Sequence, residues 1–176
     1  MSSQGKINKE YVLWTNMLKR CYSPKYQANK PTYIGCTMSN NFKQYSYFYE
    51  WCQSQICFNL LNCQLDKDLL LKDNKQYSEE TCIFIPQDLN VLIIKNKSIR
   101  GHQPIGVIKY GNNFRAQCST HGSTKFLGTF VTPELAFSVY KAFKESHIKE
   151  LAEKYKTTID PRAYKALLNY EVCIND

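Results

Sequence analysis

Apolar and polar side chains alternate strictly in the run Phe114–Ser119: Phe114, Ala116 and Cys118 against Arg115, Gln117 and Ser119. A period of two predicts a strand with one face to bury and one to leave open. Similar runs flank it, IGVIKY from Ile105 and KFLGTF from Lys125. Gly111-Asn112-Asn113 and the stretch Thr120 to Thr124 join the three, and both are turn sequences. Thr132 and Pro133 then form a cap and a first-turn proline, and Leu135 or Ala136, Val139, Phe143, His147, Leu151 and Tyr155 follow at helical spacing. The pattern predicts a three-stranded antiparallel sheet with its apolar face packed on one long helix. Ile159-Asp160-Pro161 ends that helix, and a short one runs from Arg162 to Tyr170.

The opposite sheet face presents Arg115, Gln117 and Ser119. Such a face is either a wet surface or one that reads DNA. A narrow twisted sheet fits the major groove, where Arg pairs with guanine and Gln with adenine, each bidentate pair worth about 1–3 kcal/mol. Charge bears on the choice, because the 176 residues carry a formal +8. A pI of 9.0 favours a polyanionic partner, and double-stranded DNA is the partner expected. Lys109, Asn113 and Lys125 join the candidate contacts from the sheet. After Leu92 the chain turns basic and polar, with Lys95, Lys97 and Arg100 in either a solvated linker or an arm that follows phosphates.

In the first half, Asn8 is a plausible cap for a helix carrying Tyr11, Trp14, Leu18 and Cys21 or Tyr22, which stops near Ser23-Pro24. Residues Ser23 to Thr37 read as a polar loop ending in a short strand at Tyr33-Ile34. A second helix is predicted from Ser39 or Asn40, with Phe42, Tyr45, Phe48 or Tyr49, and Cys52 on its stripe and Trp51 beside it. From Gln64 to Leu92 come a strand-like run with Asp66 and Asp68, a polar connection (Lys72 to Glu80), a β-type run (Thr81 to Ile85), and a helical turn opened by Pro86 and holding Asn90. This is the outline of a ββα unit. It is also the outline of a plain hairpin with solvated carboxylates and a capping Asn. In the first case Asp66 and Asn90 supply hard oxygen ligands that suit Mg²⁺. The fold class expected is therefore α+β, with N-terminal helices and a ββα unit followed by the sheet and its helix.

Both halves resemble known families. Leu65, Asp66, Lys67 and Asp68, then Tyr77, Ser78, Glu80, Thr81 and Cys82, and finally Asn90 are similar to the core of divergent HNH endonucleases of bacteriophages. Upstream, Trp14, Met17, Arg20, Cys21 and Tyr22, then Phe42, Tyr45 or the neighbouring Phe48, and Trp51 follow the same family's pattern. Lys67 stands where that family has its general-base His, and Thr81 where it has an Asn. The second half resembles the DNA-binding domain of plant Apetala and ethylene-response-factor proteins, which recurs fused to phage HNH nucleases. Gly106-Val107, Phe114-Arg115-Ala116, the segment from Phe126 to Phe130, and then Thr132, Glu134, Ala136, Tyr140 and Ala142 carry that likeness. Phe114 replaces its usual tryptophan.

The resemblance implies an HNH-like nuclease domain over 1–94, a basic linker over 95–103 and a DNA-binding domain over 104–176. It implies a DNA endonuclease, hydrolysing phosphodiesters with Mg²⁺ held by Asp66 and Asn90 and with Lys67 as an electrostatic aid. The alternative is a catalytically inactive DNA-binding protein, a regulator or counter-defence factor, on a degenerate HNH fold.

Thirteen tyrosines among 14% aromatics argue against disorder. No run of about eighteen apolar residues predicts a membrane span, and the start MSSQGKINKEY has no apolar signal segment. Eight cysteines without a CxxC pair predict reduced, mostly buried thiols in a cytoplasm, not a disulfide framework. Cys52, Cys57 and Cys63 come nearest to zinc-ligand spacing.

Overall fold

The computed structural model describes residues 8–60, 62–94, 102–120, 122–174 and 176. It is a mixed α+β chain of two compact units. One comprises Met1–Ile85 with Thr158–Ala163, the other Pro86–Thr157 with Tyr164–Asp176. None of the described helices is long and apolar enough to cross a membrane.

In the N-terminal unit, α1 (Lys9–Tyr22) and α3 (Tyr45–Ser54) pack through Met17, Cys21, Phe48 and Cys52, all buried. Phe42 meets Phe48 and Trp51 at ring-centroid distances of 5.2 and 4.8 Å, and Phe84 meets Trp51 and Phe58 at 5.6 and 5.0 Å. Aromatic packing on this scale is worth more than area alone, and Phe42 and Phe48 are thus core, with Tyr45 and Trp51 half-buried and Tyr49 exposed.

Several local expectations are corrected. Ser23 to Thr37 holds a helix, α2 (Pro24–Asn29), and a 3-10 turn, Pro31–Tyr33. Pro24 sits at the helix start and the Ser23 hydroxyl accepts from the Tyr26 N–H at 3.3 Å, so the Ser-Pro pair opens a helix as well as ending one. Helix α3 starts at Tyr45 because Ser39 caps a separate turn, its hydroxyl accepting from the Phe42 N–H at 3.1 Å. The short strand is β1 (Thr37–Met38), paired in parallel with β3 (Gln76–Tyr77) inside what reads as a polar connection. Strands β2 (Cys63–Asp66) and β4 (Ile83–Pro86) form a second pair, and β4 is buried along its length. One expected pair of free thiols is a disulfide, Cys57–Cys63, across a loop that brings the Cα atoms to 6.0 Å. Of the other six cysteines only Cys173 is exposed.

In the C-terminal unit, α4 (Gln87–Ile93) precedes β5 (Val107–Tyr110), β6 (Asn113–Thr120) and β7 (Ser123–Phe130), an antiparallel sheet in that order. Helix α5 (Pro133–Tyr155) lies against it, capped by the Thr132 hydroxyl accepting from the Leu135 N–H. Its buried line is Ala136, Phe137, Tyr140, Lys144, Ile148 and Leu151, turned by about one residue from the stripe of Val139, Phe143 and His147. Lys144 hides this line from the sequence. Its ammonium reaches the Tyr140 hydroxyl at 2.9 Å, so a charged residue sits where periodicity asks for an apolar one. Helix α6 (Pro161–Leu168) closes the chain.

Gly106 sets the distance between β5 and α5. It has φ +75°, and a Cβ there would lie 2.1 Å from the Tyr140 ring. Gly106→Ala is expected to cost about 2–4 kcal/mol, from overpacking added to a left-handed backbone. Gly111→Ala, with φ +60° but nothing within 4 Å of the added carbon, should cost only about 1–2 kcal/mol. Urea unfolding of both variants checks the difference; equal losses would mean that the Tyr140 contact is immaterial.

Candidate nucleic-acid interface

Two places hold the residues singled out by the sequence. The first is the end of β2 in the N-terminal unit. Asp66 closes the strand, because its Oδ1 accepts from the N–H groups of Asp68 at 2.8 Å and Leu69 at 2.7 Å. That Asx-type turn bends the chain out of the sheet, so Asp68 lies beyond the strand, contrary to the extended run expected. Burial raises the Asp66 carboxyl above the usual range, against the lowering pull of the two N–H groups.

Lys67 turns inward and is 9% exposed. Its ammonium donates to the Asn74 carbonyl and pairs with the Asp68 carboxylate, and it lies 5.8 Å from the centre of the Tyr77 ring. The Asn74 side chain returns the contact, donating to the carbonyls of Lys67 at 2.8 Å and Gln76 at 2.6 Å. The lysine in the position of the family's base thus fastens the loop 67–76. Burial pushes the neighbouring Cys82 thiol up to about 12, so it is no nucleophile near neutrality. Thr81, in the place of the family's Asn, donates to the Gln76 carbonyl at 2.8 Å.

Asn90 lies half-buried on α4, which belongs to the C-terminal unit, whereas Asp66 belongs to the N-terminal one. Among the described residues no group of three or more His, Cys, Asp or Glu side chains is placed to hold a metal ion. A Mg²⁺ site of one carboxylate and waters needs fewer. Asp66 fits such a site through Oδ2, which makes no hydrogen bond among the described residues.

The second place is the open face of the sheet. Ala116 and Cys118 are buried toward α5, while Arg115, Gln117 and Ser119 alternate to the other side. Register adds Ile108 and Thr129 opposite Arg115, Tyr110 opposite Asn113, Phe126 opposite Gln117 and Thr124 opposite Ser119. Asn113, Arg115, Gln117 and Ser119 therefore share one surface, as the alternation predicts. Tyr110, 56% exposed, and Phe126, 57% exposed, share it too.

Phe126 reaches that surface through an irregularity. Strict alternation through KFLGTF would place it with Gly128 and Phe130 on the helix side. A β-bulge shifts the register: Ala116 pairs with Gly128 but Gln117 with Phe126, so β7 carries one extra residue. Gly128, with φ +141°, permits it. The same shift sends Lys125 to the helix side, where its ammonium lies 4.6 Å from the centre of the Phe143 ring on α5. Lys109, opposite Phe114, also alternates away from Arg115. Any phosphate contact from Lys109 or Lys125 comes from the rim of the sheet. Lys95, Lys97 and Arg100 lie outside the described residues.

Comparison of the chain with protein-family models, with curated proteins and with solved structures returned no match.

Asp66→Asn tests the turn. A carboxyl whose folded pKa is raised stabilises the fold only while protonated, and that contribution is lost as pH rises through the folded value. Asn keeps an acceptor for both N–H groups without the charge. The variant should therefore be at least as stable as the parent near neutrality, and its advantage should vanish below the ordinary aspartate range. Thermal unfolding across that pH range measures it; a variant less stable at neutral pH would show that the charge itself supports the turn.

Proposed function

We propose that this chain binds double-stranded DNA and reads the major groove with the open face of β5, β6 and β7. One observation carries the reading: a sheet backed by α5 on one side presents an arginine, two amides and hydroxyls together on the other. An α-helix or a small sheet fits that groove, and Arg and Gln are side chains suited to base edges. The formal charge of +8 supports a polyanionic partner. In this reading the C-terminal unit is a domain of the Apetala and ethylene-response-factor type. The N-terminal unit is an HNH-like scaffold, and the protein acts in the cytoplasm of a host cell. Arg115 and Gln117 meet bases; Asn113 and Ser119 flank them. Lys95, Lys97 and Arg100, with Lys109 and Lys125 at the rim, meet phosphates, which position the protein without reading sequence.

Affinity of the full chain for duplex DNA should fall log-linearly with salt, with a slope of about −0.9 for each phosphate neutralised. Arg115→Ala should cost about 1–3 kcal/mol on a preferred sequence and relax the preference. Joint replacement of Lys95 and Lys97 by alanine should weaken all sequences alike and flatten the slope. Electrophoretic mobility and fluorescence anisotropy titrations measure both. Absence of binding at low salt would overturn the reading.

A second reading, Mg²⁺-dependent endonuclease, is favoured by Asp66, whose one oxygen is pinned by two N–H groups while the other has no partner among the described residues. Asp66 would hold the cation, which when bound supplies a water of lowered pKa and offsets phosphate charge. Lys67, spent on Asn74 and Asp68, contributes order to that loop. Plasmid nicking with and without Mg²⁺ tests the reading. Slow nicking that Asp66→Ala abolishes would support it, and nicking unchanged in that variant or in chelator would remove it.

A further inference from the structure

Arg115 stands between two aromatic rings on the open face. Its Cζ lies 3.9 Å from the centre of the Tyr110 ring on β5 and 5.2 Å from that of Phe126 on β7. Its Nε is buried and makes no hydrogen bond. The guanidinium is thus held by ring faces, not by acceptors, and none of its donors is spent on another described residue. A guanidinium flanked by two rings, its donors left over, suits a ligand with two acceptors side by side.

Two further observations narrow the ligand. Among the described residues of the sheet, register places no second cation beside Arg115, since Lys109 and Lys125 alternate to the other side. A phosphate held here would have one charged partner, with Thr129 opposite it on β7 and a ring on either side. Ile108, directly opposite Arg115, is 40% exposed, so the fork is bordered by apolar carbon on β5 as well as by the two rings. In the major groove, paired acceptors on guanine adjoin apolar surface at one kind of neighbour, a pyrimidine bearing a 5-methyl group.

We propose that Tyr110, Arg115 and Phe126 act as one recognition element for a guanine adjacent to a 5-methylpyrimidine. Arg115 meets O6 and N7 of the guanine. Tyr110 and Phe126 are positioning residues for the fork, and Phe126 and Ile108 cover the methyl. Thymine and 5-methylcytosine offer the same methyl chemistry. The inference rests on the DNA-binding reading above and goes further, because the aromatic pair sets what Arg115 prefers.

Selection of the full chain on a pool of random-sequence duplexes, followed by titration of the enriched duplex, tests it. The enriched sequence is expected to contain guanine next to thymine. Deoxyuridine at that thymine should weaken binding about four-fold, the worth of one buried methyl. Deoxyuridine at other thymines should leave binding unchanged. Cytosine with its guanine complement should lose affinity at that step, and 5-methylcytosine should recover it if the methyl is read irrespective of the base. Should 5-methylcytosine not recover it, thymine is the source.

Phe126 is exposed, so its replacement leaves the core intact. Phe126→Ala should abolish the difference between thymine and deoxyuridine and lower the preference for guanine as well. Phe126→Leu should keep the methyl effect but lower the preference for guanine. Selective binding without guanine, or equal binding of thymine and deoxyuridine duplexes, would overturn the inference and leave the DNA-binding proposal standing. No binding to any duplex would overturn both.

Discussion

A three-stranded sheet backed by one helix can bury only one of its faces, and the C-terminal unit is arranged around that constraint. The buried side is closed by small residues at the centre, Ala116 and Cys118, which let α5 approach. Gly106 lets the Tyr140 ring rest against backbone. With that side filled, every second residue of β6 is committed outward, and the chemistry of the outward set becomes the property to explain. It contains an arginine, amides and hydroxyls, which water can satisfy, and two exposed rings, which gain little from facing it. Exposed aromatic rings around an arginine without internal acceptors are costly features for a surface with no partner.

The N-terminal unit solves a different problem, a buried ammonium. Lys67 lies in the loop after β2, and its charge is met by a carboxylate, a carbonyl and a ring face. Removing one partner from such a group costs more than the set contributes, which ties Asp68, Asn74 and Tyr77 to one another. Arg162 reinforces the following turn in the same unit, donating to the carbonyls of Glu79 and Glu80 at 3.3 Å each while held by Asp160. Thr158–Ala163, late in sequence, thereby belongs to the early unit. The order around Asp66 thus comes from charges satisfied internally, and among the described residues Asp66 keeps one carboxylate oxygen without a partner.

How much of this was legible depended on how far each signal extends along the chain. Strands of eight residues with a capped helix of 23 leave a periodic trace, and β6, β7 and α5 are found where alternation, turns and the Thr-Pro pair place them. Strands β1 and β3, two residues each, leave none. The end of β2 depends on a side-chain acceptor two and three residues back, which no hydrophobic pattern records. Lys144 and Lys67 are buried because their ends find partners, whereas composition assigns lysine to solvent. At the candidate interface, Arg115, Gln117 and Ser119 follow from alternation alone. Tyr110 follows too, one strand over. Phe126 does not, because a single extra residue at Leu127 exchanges the sides of Lys125 and Phe126. Its only sequence trace is the glycine at 128, the residue type such a bulge favours.

We propose that the open face of β5–β7, and not the helix side or the loop after β2, meets DNA. Amide and side-chain shift perturbation in heteronuclear NMR of the full chain, titrated with a duplex, tests it directly. The account predicts the largest changes at Arg115, including its Nε–H, and at Gln117, Ser119, Thr124 and Phe126, with Cys118, Tyr140 and Ile148 little affected. Changes concentrated on α5 or on residues 66–76, with the Arg115 signals unmoved, would contradict it.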